Sequence, residues 1–94
     1  MLINNAFYTM PADRVAEAEA LLHELRDASR SEPGCLTFNV ARSIENPNVF
    51  LLYEEYRDQH ALDAHFASDH FQRLVVNGLR KLVLERIGYH GSEI

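Results

Sequence analysis

Ninety-four residues are enough for one domain with its own core and too few for two. Apolar residues make up 47% of the chain and charged ones 24%, a globular balance rather than a disordered one. Nine Lys and Arg against fourteen Asp and Glu leave a net charge of -5, which offers no basic field for nucleic acid or for an anionic membrane surface. The longest apolar run, Val49 to Tyr53, is far shorter than the roughly 18 residues a bilayer span needs. Met1 to Met10 lacks the basic start and apolar stretch of a signal peptide, so a cytoplasmic location is expected. A single Cys35 allows no internal disulfide, and no CxxC pair marks a zinc or redox site.

Ile3 to Thr9 is short, apolar and aromatic and stops at Met10-Pro11, which predicts a strand. Pro11 then suits the first position of a helix running to about Arg30, with Val15, Ala18, Leu22 and Leu25 on one face and Asp13, Glu17 and Glu24 outward. Ser31-Glu32-Pro33-Gly34 ends it. Cys35 to Arg42 alternates with a period of two, Ile44 to Asn48 is rich in turn formers, and Val49 to Tyr56 reads as the returning strand of an antiparallel hairpin. Asp58 is placed to cap a short helix carrying Ala61, Leu62, His65 and Phe66. Ser68 is placed to cap another carrying Phe71, Leu74, Val75 and Leu79, ending at Asn77-Gly78. Leu82 to Tyr89 predicts a fourth strand, with helix the alternative over Leu79 to Leu84.

The order strand, helix, strand, strand, helix, strand predicts an α+β, ferredoxin-like fold: a four-stranded antiparallel sheet with helices on one face. Val49 to Tyr53 is apolar on both strand faces, so the face without helices needs a cover, and a homodimer packed sheet to sheet supplies one.

The chain resembles the antibiotic biosynthesis monooxygenase (ABM) domain family. The resemblance is carried by Glu32-Pro33-Gly34-Cys35-Leu36, then Phe38, Val40, Pro47 and Phe50, the block Leu52-Tyr53-Glu54-Glu55-Tyr56, and Ala61-Leu62-Asp63-Ala64-His65 leading to Ser68, His70 and Phe71. It covers nearly the whole chain as a single domain over 1–94. It implies a dimeric α/β barrel with a small-molecule cavity between sheet and helices in each protomer. Some relatives oxidise aromatic polyketides or quinols with dioxygen and no metal, flavin or haem; others degrade haem or isomerise phosphorylated sugar-derived signals. The frequent tryptophan at the end of the third-strand block is Tyr56 here and the chain has no Trp, which argues against haem degradation.

No GxGxxG, GxxxxGK[ST] or GxSxG motif occurs. The leading reading is a cofactor-free monooxygenase or quinol oxidase acting on a small aromatic or quinoid substrate, to which the protein supplies a base, a hydrogen-bonding group and a dry pocket. His65 is the candidate base, on the apolar face of its helix, where packing as a wall residue is the competing role. Tyr53 and Asn5 are the candidate hydrogen-bonding groups, and Asn39 could hold a carbonyl or phenolate; buried packing competes for Tyr53 and local backbone bonds for the two asparagines. Phe50, Phe66 and Phe71 are core residues that could also wall a flat ligand, and His70 lies beside Phe71, where helix capping or surface exposure is the competing role. His65 and His70 are not expected to bind metal, since five-residue spacing puts them about 140° apart on one helix with no third ligand evident. Of Glu54 and Glu55, which point to opposite faces, one is expected in water and the other in a dimer-interface pair with Arg42 or Arg86. An isomerase using the same base, with arginines converging on a phosphorylated substrate, and a non-catalytic binding dimer are the alternative readings.

Overall fold

Alternating apolar positions build four strands, and a computed structural model describes them in residues 1–94. The strands are β1 (Leu2–Thr9), β2 (Cys35–Arg42), β3 (Val49–Tyr56) and β4 (Glu85–Ser92), all antiparallel in the order β2-β3-β1-β4. The first crossover is α1 (Val15–Arg30), entered through a 3-10 turn at Ala12–Arg14 that displaces the regular helix from its expected start at Pro11. The second is α2 (Gln59–Ala67) followed by a helix over 69–82, here α3. The fold is therefore the expected ferredoxin-like one.

Both expected caps form. The Asp58 side chain accepts from the Ala61 N–H at 2.9 Å and Ser68 Oγ from the Phe71 N–H at 3.2 Å. Asn77-Gly78 does not end α3, contrary to the expectation from those two residues. The helix widens to π-type turns across Gln72–Leu79 and carries on through Arg80–Leu82. This pushes β4 to Glu85–Ser92, three residues beyond its expected start.

The core lies between sheet and helices, where Leu22 and Leu25 of α1 and Leu74, Val75 and Leu79 of α3 pack on Ala6, Tyr8, Phe38, Phe50 and Leu52. No helix covers the opposite face. There Phe7 and Leu51 are half-buried, while Tyr53, Ile87 and Tyr89 are 39%, 41% and 65% exposed. No helix is long and apolar enough to cross a membrane.

Candidate functional site

A cavity of ≈ 530 Å³ opens between the sheet and the helices, within the size range of small-molecule sites. Asn4, Ala6, Tyr8, Leu52 and Glu54 form its floor; His65, Phe66 and Phe71 wall one side. Arg80, Arg86 and His90 are exposed and form its rim. The Phe66 and His90 rings stack at 5.5 Å, joining α2 to β4 across the opening.

His65 is 1% exposed and ringed by aromatic side chains, with Tyr56 and Phe71 each at 5.2 Å between centroids. Both of its nitrogens face carboxylates. Nδ1 is 2.9 Å from Glu32 Oε2, and Nε2 is 3.7 Å from Glu54 Oε1. His70 Nε2 meets the same Glu32 oxygen from the other side. The four side chains thus form a row, Glu54, His65, Glu32, His70, running from the cavity floor to the half-exposed His70.

Local chain geometry explains this convergence. Glu32 stands on the turn that ends α1, and that turn seats directly on α2: a Cβ on Gly34 would lie 2.3 Å from the Ala61 Cβ. The Arg57 N–H donates to the Gly34 carbonyl at 2.9 Å and fixes the approach. Ser68, with φ -68 and ψ 152, breaks the helix between the two histidines. They stand on separate helices, so the 140° separation of a single helix does not apply and His70 turns back toward Glu32. The expectation that no third ligand accompanies them is corrected: one ligand atom each from Glu32, His65 and His70 lie within 4.8 Å of one another, a set that could hold a metal ion.

Glu54 is 2% exposed, and its Oε1 accepts from the Tyr56 hydroxyl at 2.6 Å and from Asn4 Nδ2 at 3.1 Å. Burial raises its pKa and outweighs these hydrogen bonds and the charge of His65, which act the other way. Glu32 goes down: burial alone would raise it, but its hydrogen bonds to His65 and His70 and their charges together prevail. Burial and the two glutamates push the Cys35 thiol up to about 11, away from reactivity.

Several candidate residues lie elsewhere. Asn5, Asn39 and Tyr53 are on the uncovered face and do not line this cavity; they line a shallow depression there. Tyr53 is not buried packing, since its hydroxyl donates to Glu55 at 3.0 Å on an exposed surface. Their chain neighbours Asn4 and Glu54 are the ones that face the cavity, because side chains alternate along a strand. Phe50 is buried core under Arg42 rather than a cavity wall. Phe66 and Phe71 do wall the cavity, and His70 reaches the site through Glu32. Glu54 is in neither of its expected places, being buried beneath the helices, while Glu55 stands on the uncovered face and accepts from Thr37 and Tyr53. Arg42 instead pairs with Glu19 at 2.7 Å, and Arg86 lines the cavity.

Glu32 and Glu54 were missed as members of the site. Glu54 sits two residues from Tyr56 in a strand block whose inward face could have been assigned from Phe50 and Leu52. Glu32 lies 33 residues from His65, and no local pattern links them.

The model of the family described as antibiotic biosynthesis monooxygenase matches residues 1–76. A solved antibiotic biosynthesis monooxygenase is similar at 27% identity and a TM-score of 0.93, covering 100% of this chain and 99% of that one. A conserved protein from Methanosarcina mazei Go1 is similar at 26% identity and a TM-score of 0.92, covering 99% and 92%. An uncharacterized protein of Synechocystis is 36% identical over 63 residues, which are 67% of this chain and 43% of that relative, so the match spans less than half of its length.

Proposed function

This chain belongs to the antibiotic biosynthesis monooxygenase family, and on that premise we propose that it oxidises a small aromatic or quinoid molecule with dioxygen, using His65 as base and no bound cofactor. The observation that carries this reading is the placement of His65 at the cavity wall between two carboxylates. Glu32 accepts from Nδ1–H, which fixes the tautomer and leaves the Nε2 lone pair toward Glu54 and the cavity. Nε2 takes a proton from a hydroquinone or an anthrone, and Glu32 and Glu54 stabilise the imidazolium that results. The electron-rich anion then reduces dioxygen. A hydroquinone gives the quinone and hydrogen peroxide; an anthrone methylene gives the carbonyl and water. The aromatic walls Phe66 and Phe71 exclude solvent, and Tyr8 and Asn4 are the polar floor groups that can orient the substrate oxygen.

A second copy covers the free sheet face in this proposal. Support comes from the exposed Ile87, Tyr53 and Tyr89 beside Phe7 and Leu51, an apolar surface that a two-fold axis can match to itself. We place the protein in the cytoplasm, where Cys35, a free thiol, stays reduced.

Oxygen uptake by chelator-treated protein across hydroquinones and anthrones, with heat-denatured protein as control, tests the activity. Saturable uptake matched by a quinone or oxygenated product is expected. No uptake across the panel refutes the oxidase reading, and uptake restored only by an added metal ion transfers the chemistry to Glu32, His65 and His70 as ligands.

A further inference from the structure

Arg80 and Arg86 reach the cavity from different elements, one from the last turn of α3 and the other from β4. Their surroundings set them apart from the other six arginines. Five of those face a carboxylate at distances from 2.7 to 3.5 Å, and Arg30 donates to the Phe38 carbonyl at 3.0 Å. Neither Arg80 nor Arg86 has a carboxylate partner, in a chain whose net charge is -5. The Arg80 guanidinium rests over the Phe71 ring at 5.5 Å, a contact that holds its planar group at the cavity edge and leaves its N–H donors free.

Tyr8 shows that the two charges act on one place. Its ring is 4% exposed on the cavity floor; burial and, behind it, the Glu54 charge raise its pKa, and the charges of Arg86 and Arg80 both oppose that rise. The opposite part of the cavity is acidic, with Glu54 on the floor and Glu32 behind His65. The cavity is therefore polarised, with a cationic side at Arg80, Arg86 and Tyr8 and a proton-accepting side at His65.

We propose that Arg80 and Arg86 form an anion subsite that binds a carboxylate or phosphate group of the substrate and directs its oxidisable hydroxyl to His65. This deepens the oxidase reading and rests on its assignment of the cavity, but it makes a claim about binding that turnover does not enter. Guanidinium forks match both oxyanions, so the probe decides between them.

The test is titration calorimetry or ligand-observed NMR with hydroquinone, 2,5-dihydroxybenzoate and phenyl phosphate. Wild-type protein is expected to bind at least one anionic probe about 10-fold or more tighter than hydroquinone, with the advantage shrinking as salt rises. Arg80→Gln combined with Arg86→Gln should abolish the advantage, bringing the affinity for the anionic probe down to that for hydroquinone measured in the same variant. The tighter of the two anionic probes identifies the group. Equal affinity for neutral and anionic probes, no binding by any of them, or an anion preference that survives both substitutions overturns the subsite. An anion preference in protein that consumes no oxygen would support the subsite and refute the oxidase reading, so the two fail separately.

Discussion

On the helix-covered face of the sheet the Tyr56 hydroxyl donates to Glu54 at 2.6 Å, and on the uncovered face the Tyr53 hydroxyl donates to Glu55 at 3.0 Å. The same residue pair stands on the same strand, two positions apart in each case. The covered pair is nearly inaccessible, with Tyr56 at 0% and Glu54 at 2% exposure, and it touches His65 and the cavity. The uncovered pair is bound to Thr37 and surrounded by exposed apolar side chains. Both tyrosine hydroxyls are raised, Tyr53 by its hydrogen bond to Glu55 and Tyr56 first by burial, so it is burial against His65 and a cavity, more than residue type, that separates a candidate site from a surface suited to association.

The largest effect is expected on the uncovered face. Leu51→Arg puts a charge in the centre of the proposed dimer contact, where an unpaired buried charge costs several kcal/mol. Light scattering should report a monomer with unchanged circular dichroism; a wild-type protein that is already monomeric would remove the dimer. On the covered side, Gly34→Ala forces the turn carrying Glu32 away from Ala61 and should cost about 1–3 kcal/mol in urea unfolding. Stability equal to wild type would show that the turn is not held against α2.

Glu54→Gln sharpens the comparison through pH. The raised pKa of Glu54 means that the folded state holds this proton more tightly than the unfolded one. Its stabilising contribution is full below the unfolded value and is lost as pH rises through the folded value. Thermal unfolding of Glu54→Gln should therefore gain on wild type with rising pH across that window. Glu32, lowered, contributes in the opposite sense, and its stabilisation is lost as pH falls through its folded value. A pH-independent difference for Glu54→Gln would mean that burial does not shift this carboxyl.

Much of the fold was legible because its signals are local. The β2 and β3 boundaries follow from period-two alternation between turn residues, and the Asp58 and Ser68 caps from side-chain chemistry at helix starts. Helix α3 was harder to bound, since Gly78 ordinarily marks an end and π-type turns absorb it here; a Cβ at that position would press on Leu21 and the Arg73 carbonyl, both at 3.3 Å. The site was only half legible. His65, Phe66 and Phe71 follow from one helix face, but adjacent Asn4 and Asn5 give no local clue to which one turns inward, and a one-residue choice moves the candidate to the other side of the sheet. The link between Glu32 and His65 exists only after the turn docks on α2.

Turnover of His65→Ala measured beside Tyr53→Phe, on whichever substrate the wild-type protein oxidises, separates the two faces most directly. The account predicts a fall of about 100-fold or more in His65→Ala with the fold retained, and wild-type turnover in Tyr53→Phe, whose hydroxyl lies across the sheet from the cavity. Full activity in His65→Ala, or loss of activity confined to Tyr53→Phe, would place the chemistry on the other face and contradict it.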